Sequence, residues 1–264
     1  MKKRADVLLV EQGLIDSRQK AQRLIMGGRV YLGEIMITKP SETIEESQTL
    51  TIRGEENPFV SRGGYKLQKA MEVFKVDAQN LVCMDIGAAT GGFTDVLLRA
   101  GAQHIYAIDV GYGQLDWKLR NDSRVTVMER TNARNLTKEM FDLQPQLTVM
   151  DVSFISIRLL LPVLADIMGD KGRVLSLIKP QFEAGREQVG KNGVVRNQQI
   201  HQEVLREIIQ FCVGFGWNVA GMTYSPIRGP KGNIEFLADI RPGEETIFSN
   251  DDIHQLVMQA HQQL

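Results

Sequence analysis

The chain holds 264 residues, 43% of them hydrophobic and 24% charged, with a formal net charge of −1. That length suits one large domain with one small one, and the composition is ordinary for a soluble globular protein. A membrane helix, which needs about eighteen apolar residues in a row, is excluded: the longest candidate, IRLLLPVLADIMG, is broken by Pro162 and Asp166. The basic start MKKR meets only a short apolar patch broken by Asp6 and Glu11, so no secretion signal is expected and a cytoplasmic setting is.

The first fifty residues read as a compact α+β unit. ADVLLVEQG predicts a short amphipathic helix closed by Gly13. Ser17 is placed to cap a second, SRQKAQRLIMGG, stopped by Gly27 and Gly28. RVYLGEIMITK and QTLTIRG predict short strands around the turn KPSE. Residues 1–30 carry Lys2, Lys3, Arg4, Arg18, Lys20, Arg23 and Arg29 against Asp6, Glu11 and Asp16, an excess of four positive charges. Such an excess can serve as a phosphate footprint, although many solvated surfaces look the same. SRQKAQRLIMGGRVYLG and ITKPS resemble the S4-type RNA-binding domain. The resemblance implies phosphate contacts for Arg18, Lys20, Arg23 and Arg29, with Arg4 beside them. The alternative is a small helical packing module.

RGEENPF, residues 53–59, is polar and proline-broken and reads as the joint between domains. The expected division is a small domain over 1–53, a linker over 54–60 and a large domain over 61–264. Beyond the joint, apolar runs alternate with helical patterns in the manner of a parallel sheet. The expected strands are VCMDIG, HIYAID, RVTVME, LTVMD, RVLSLIK, WNVAGMTY and NIEFLADI, the last two suited to a hairpin. Helices are expected near 64–75, 92–100, 156–168, 198–213 and 251–263. Cys83 and Cys212 read as small core residues. His104, His201, His254 and His261 show no metal-ligand spacing and read as structural or solvent-facing.

DIGAATGGF, residues 85–93, reads as strand, glycine turn and helix. Gly87, Gly91 and Gly92 let the backbone approach a ligand closely. Asp109 ends the next apolar run, about twenty residues after the turn, where an acidic residue suits ribose hydroxyls. The spacing is G-x-x-x-G-G and not the G-x-G-x-x-G of nicotinamide or flavin enzymes. That favours a nucleoside cofactor without a pyrophosphate, of which S-adenosylmethionine (SAM) is the common one.

Charged residues also stand at the ends of other apolar runs. Asp151 ends LTVMD, and Lys179 ends VLSLIK ahead of Pro180. Lys66 opens the first helix of the large domain, and Glu235 is placed inside the strand GNIEFLADI. In an open parallel sheet ligands bind outside the carboxyl ends of the strands. Asp85, Asp109, Asp151 and Lys179 are therefore expected on one rim.

SRGGYKL, DIGAATGGFTDVLL, ERTNARNL, DVSFISI, IKPQFEAGREQVGKNGVV and GNIEF together resemble, in order and over essentially the whole chain, the TlyA (hemolysin A) family. The resemblance implies an α/β fold: a Rossmann-like, FtsJ-type SAM-dependent methyltransferase with a seven-stranded, mostly parallel sheet, preceded by the small S4-type domain. It implies methyl transfer to a ribose 2′-hydroxyl of structured ribosomal RNA, with cytidine the target. It carries a Lys-Asp-Lys-Glu tetrad onto Lys66, Asp151, Lys179 and Glu235. SAM is expected against Asp85, Gly87, Ala89, Gly91, Gly92, Phe93 and Asp109, with its adenine near Asn132 and Ala133. Arg62 joins the RNA-binding set. The glycine-rich, basic stretch EAGREQVGKNGVVRN reads either as a mobile loop that closes over RNA through Arg186, Lys191 and Arg196 or as a disordered surface loop.

Those residue types suit the chemistry. A 2′-hydroxyl is a poor nucleophile while protonated, so a group must accept or orient its proton. Lys179 could do so if burial and the neighbouring Lys66 lowered its pKa. Asp151 opposes that shift and is expected to orient Lys179, while Glu235 positions Lys66. The sulfonium methyl is already electrophilic, so no metal is expected. A non-catalytic RNA-binding protein would not need all four residue types. A membrane-active hemolysin would need a span or a basic amphipathic helix, and DDIHQLVMQAHQQL lacks the basic face. A small-molecule methyltransferase is opposed by the basic first domain. Oligomeric state is left open.

Overall fold

The structure, a computed structural model, describes residues 2–26, 28–53, 57–243 and 248–264, and of Arg23 only the backbone. The chain divides into two compact units, Met1–Asn57 and Pro58–Leu264. Of the expected linker, residues 54–56 lie outside the described residues. Pro58–Val60 do not behave as linker. The Val60 amide donates to Asp95 Oδ2 at 2.9 Å and Arg99 Nη2 donates to the Pro58 carbonyl at 2.5 Å, so these residues belong to the second unit.

The first unit runs β1 (Lys2–Arg4), α1 (Ala5–Glu11), α2 (Arg18–Met26), β2 (Val30–Leu32), β3 (Ile35–Met36), β4 (Thr43–Glu45) and β5 (Leu50–Ile52). Strand β2 lies between β3 and β5, and β1 pairs with β4. The pairing of β1 is invisible in its sequence, KKR, which has no apolar alternation; only β4 across from it makes it a strand. Ala5, Leu8 and Leu9 of α1 share a core with Ala21 and Ile25 of α2 and with Val30, Ile44 and Leu50 of the strands.

Asp6 is fully buried beneath this unit's basic residues. Its carboxylate accepts from Arg4 Nε and Nη2 at 2.9 and 3.0 Å, from Gln22 Nε2 at 2.8 Å and from Arg18 Nη2 at 3.1 Å. Arg4 first, then Gln22 and Arg18, hold it well below the usual carboxylate range. Lys3 is likewise bound by Glu11 and Glu46 at 2.7 and 2.8 Å. Part of the positive excess is therefore balanced within the unit. Asp6→Asn is expected to cost about 1–3 kcal/mol at pH 7, as charged hydrogen bonds are lost. A depressed pKa stabilises the fold above the unfolded value of about 3.9 and loses that contribution as pH falls toward the folded one. Thermal unfolding should show a wider gap between wild type and variant at pH 7 than at pH 3.

The second unit contains α3 (Gly64–Val73), β6 (Val82–Ile86), α4 (Gly92–Arg99), β7 (His104–Ile108), α5 (Trp117–Arg120), β8 (Val125–Met128), β9 (Leu147–Met150), α6 (Leu161–Met168), β10 (Arg173–Ile178), α7 (Pro180–Glu183), α8 (Gln198–Gly214), β11 (Trp217–Tyr224), β12 (Phe236–Pro242) and α9 (Asn250–Gln263). The seven expected strands form one sheet in the order β11-β12-β10-β9-β6-β7-β8. Five strands are parallel, and β12 runs antiparallel to both β10 and β11.

Period-two alternation sorts side chains between two faces. Met84, Ile86, Tyr106 and Ile108 pack with α6, α8 and α9, while Cys83, Ile105 and Ala107 pack with α3 and α4. Burial on both faces is why β6 reads as a continuous apolar run. The helix expected at 156–168 starts instead as a 3-10 turn, Ile157–Leu159, before α6, whose Pro162 sits in the first turn where no amide is needed. Glu235 is not inside a strand; it immediately precedes β12. Because β12 is reversed, its start lies at the carboxyl rim of the parallel strands, so Glu235 still reaches that rim.

Candidate active site

Strand order reverses between β6 and β9, which opens a crevice at their carboxyl ends. The glycine turn lies there. Gly87 has φ +83 and Gly91, capping α4, φ +92, backbone states that favour glycine. Asp109 ties the turn to β7: its Oδ2 accepts from the Ala89 amide at 2.8 Å and its Oδ1 from the Gly111 amide at 2.6 Å. Each oxygen keeps a lone pair for a further donor. Asp85 lies buried below the turn, where Oδ2 accepts from the Thr94 amide and hydroxyl at 2.9 and 2.6 Å. Its Oδ1 is buried with no protein partner. Phe93 is packed into the core, which leaves only its backbone for a ligand. Asn132 caps a 3-10 turn by accepting from the Arg134 amide at 3.1 Å, and Ala133 is buried in that turn.

Burial, with smaller contributions from Asp151 and Asp109, pushes the Asp85 carboxyl up to about 7 against the donors from Thr94. A raised acid pKa destabilises the fold above the unfolded value, and the penalty grows as pH climbs from about 4 to about 7. Asp85→Asn keeps an acceptor for Thr94 and has no such penalty. Its melting temperature relative to wild type is expected to be more favourable at pH 8 than at pH 5; an equal offset at both would contradict the assignment.

Four charged residues meet at the same rim. Lys66 Nζ lies 2.7 Å from Glu235 Oε2 and 3.4 Å from Asp151 Oδ2. Lys179 Nζ lies 2.5 Å from Asp151 Oδ1, an ion pair off the line of a good hydrogen bond, and donates to Ser153 Oγ at 2.9 Å. The result is one chain, Glu235–Lys66–Asp151–Lys179–Ser153. Lys66, Lys179 and Glu235 are buried, and Asp151 is the partly open member. Asp151 thus stands in ion-pair contact with both ammonium groups.

A cleft of about 650 Å³ is lined by Ser153, Phe154, Phe182 and Gln181 together with Asn132 and Arg186. Phe154 is 88% exposed at φ +63, and its ring lies 5.0 Å from that of Phe182. Ser153 and Phe154 join the site without any motif of their own, and their only signal in the chain is that they come two and three positions after the strand-end Asp151.

The expected RNA contacts are spread over both units. Arg62 is exposed and donates to the Arg228 carbonyl at 2.6 Å. Arg186, Lys191 and Arg196 are exposed, but their segment is not an unattached loop. Gly190 bridges Val194, which is buried with Val195, and buried Asn233 accepts from the Val195 amide and donates to the Gly193 carbonyl. In the first unit Arg4 and Arg18 are engaged with Asp6, Lys20 lies 3.9 Å from Asp16, and Arg29 Nε donates to the Arg53 carbonyl at 3.1 Å. The side chain of Arg23 lies outside the described residues.

The FtsJ-like methyltransferase family matches residues 59–240, a span that holds the turn, the four charges and the cleft; an S4 domain matches residues 3–50. TlyA of Mycobacterium tuberculosis (strain ATCC 25618 / H37Rv), named a 16S/23S rRNA (cytidine-2'-O)-methyltransferase, is 41% identical over 97% of this chain and 96% of its own. This chain belongs to the TlyA family. YqxC of Bacillus subtilis (strain 168) is 48% identical over 100% of the chain and 95% of its own length. The solved structure of a hemolysin-named protein from Streptococcus thermophilus shares 46% identity, covers 99% of this chain and 96% of its own, and superposes with a TM-score of 0.80. This member of the TlyA family is a methyltransferase with the α/β fold and seven-stranded sheet expected from its sequence. Among the described residues, no helix is long and apolar enough to cross a membrane.

Proposed function

We propose that this chain transfers a methyl group from SAM to the 2′-hydroxyl of a cytidine in ribosomal RNA. The observation that carries the reading is the ion-pair chain Glu235–Lys66–Asp151–Lys179 beside the glycine turn. The 41% identity to an enzyme named for cytidine-2'-O methylation of 16S/23S rRNA supports the substrate. The residues at the turn fit SAM: Gly87 and Gly91 adopt the positive φ values that shape the turn, Asp109 has acceptor capacity for ribose hydroxyls, and Asp85 Oδ1 is an acceptor without a partner. Asn132 and Ala133 are the candidates for the adenine end. When bound, SAM supplies an electrophilic sulfonium methyl group.

The chain's own residues then have one demanding task, the hydroxyl proton. Lys179 Nζ, held by Asp151 and Ser153, accepts or orients it. Asp151 fixes Lys179 from one side and, as the partly open member, offers the proton a way out. Lys66 and Glu235 hold the other oxygen of Asp151 in place. Much of the rate gain comes from holding the attacking oxygen in line with the methyl group. Phe154 and Phe182 offer the nucleobase an apolar wall, and exposed Arg18, Arg62, Arg186, Lys191 and Arg196 suit RNA phosphates. A purely RNA-binding protein would gain nothing from charges whose burial costs desolvation free energy.

The test is methyl transfer from labelled SAM to purified ribosomal subunits, with the product nucleoside identified by mass spectrometry. The expected product is 2′-O-methylcytidine. Label in the bases, or no transfer despite measurable SAM binding, would overturn the reading.

A further inference from the structure

Glu183, the last residue of α7, takes no part in the chemistry above, yet its side chain is only 2% exposed. Its Oε2 accepts from Ser156 Oγ at 2.6 Å and its Oε1 from the Ile157 amide at 2.8 Å. Arg158 closes the arrangement: Nε lies 3.6 Å from Oε2, Nη2 donates to the Glu183 carbonyl at 3.0 Å, and Nη1 reaches Glu207 of α8 at 3.2 Å. A buried carboxylate is costly, and an apolar side chain of similar volume would fill the space more cheaply. Burial raises the Glu183 pKa in spite of these donors. What the carboxylate secures is a specific connection.

The connection joins two segments. One follows β9 and carries Asp151, Ser153 and Phe154; the other follows β10 and carries Lys179, Gln181 and Phe182. Both line the cleft, and their Phe154 and Phe182 rings meet at 5.0 Å. At one place they are joined by Lys179 to Asp151 and Ser153, and at a second by Glu183 to Ser156 and Ile157. A single attachment would leave a pivot, whereas two fix both separation and angle. We propose that Glu183 is a positioning residue that sets the width and orientation of the nucleotide cleft, and so the placement of the target ribose against Lys179. The proposal rests on the reading of this cleft as the rRNA site.

The experiment compares wild type, Glu183→Ala, Glu183→Gln and Ser156→Ala in steady-state methylation of ribosomal subunits, with SAM affinity by calorimetry and thermal unfolding for each. For Glu183→Ala, kcat is expected to fall about 10- to 100-fold while the SAM Kd stays within about twofold, because a shifted wall misplaces the ribose and not the cofactor turn. Glu183→Gln keeps an acceptor for the Ile157 amide and a donor for Ser156, and should recover kcat to within about fivefold of wild type, since geometry and not charge is the requirement. Ser156→Ala removes one connection without leaving a buried cavity and should lower kcat by a smaller factor in the same direction; it decides the matter if Glu183→Ala does not fold. Folded variants with wild-type kcat, even with lowered melting temperatures, would overturn the positioning role. Wild type that binds SAM but methylates no ribosomal RNA would instead overturn the functional reading.

Discussion

Lys179→Ala is expected to lower methyl transfer to ribosomal RNA by about 10²–10⁴-fold, the range for losing the group that handles a proton in the transition state. SAM binding should survive, because Lys179 lies outside the glycine turn. The fold should survive as well: Asp151 Oδ2 keeps Lys66, and Lys66 keeps Glu235. The loss should therefore appear in kcat under saturating SAM and rRNA, with little change in SAM Kd. Lys179→Arg separates two roles. A guanidinium remains charged and is a poor proton acceptor, so an active arginine variant would make Lys179 an orienting cation and not the proton acceptor. Equal rates for wild type and Lys179→Ala would end the tetrad mechanism.

Gly87→Ala should damage both cofactor turn and reaction centre through one added methyl group. An ideal Cβ at residue 87 would lie 2.7 Å from the Asp151 carbonyl oxygen and 3.2 Å from its carbonyl carbon. That obstacle is backbone, and Asp151 is tied close to the turn by its amide donating to the Ile86 carbonyl at 3.1 Å. Alanine at φ +83 is strained as well. The two effects together are expected to cost about 1–3 kcal/mol of stability. Any shift that relieves the contact also moves Asp151, and a displacement of about 1 Å in a catalytic group can cost about 10²-fold in rate. Urea unfolding and initial rates on the same preparation check both. A variant as active as wild type would show that the turn and Asp151 are mechanically independent.

Much of this architecture is legible in the chain because it is local. The seven strands announce themselves as apolar runs, the turn after β6 by the spacing of Gly87, Gly91 and Gly92, and the charges at Asp109, Asp151 and Lys179 by their place at the ends of those runs. Lys66 and Glu235 join them only through the family resemblance, since neither ends a parallel strand. The chain is silent where a residue's setting depends on a distant partner. KKR gives no sign of β1 without β4. Phe93 follows the glycines in sequence, yet its ring belongs to the core. The basic stretch at 186–196 reads as a free loop until Asn233, 38 residues beyond Val195, fastens it.

Length, composition, periodicity and motif spacing are thus enough to specify two units, an α/β fold, a glycine turn and a set of rim charges. Those properties depend on neighbours one, two or four positions away. Tertiary structure alone decides that Lys66 touches Glu235 across 169 positions, that Asp151 lies against two lysines at once, that a reversed β12 delivers Glu235 to the rim, and that Glu183 ties two cleft walls together. Such contacts follow from strand order and register, and a period-two pattern is compatible with many orders. The final arrangement is selected by which packing buries both faces of the sheet while leaving each buried charge with a partner.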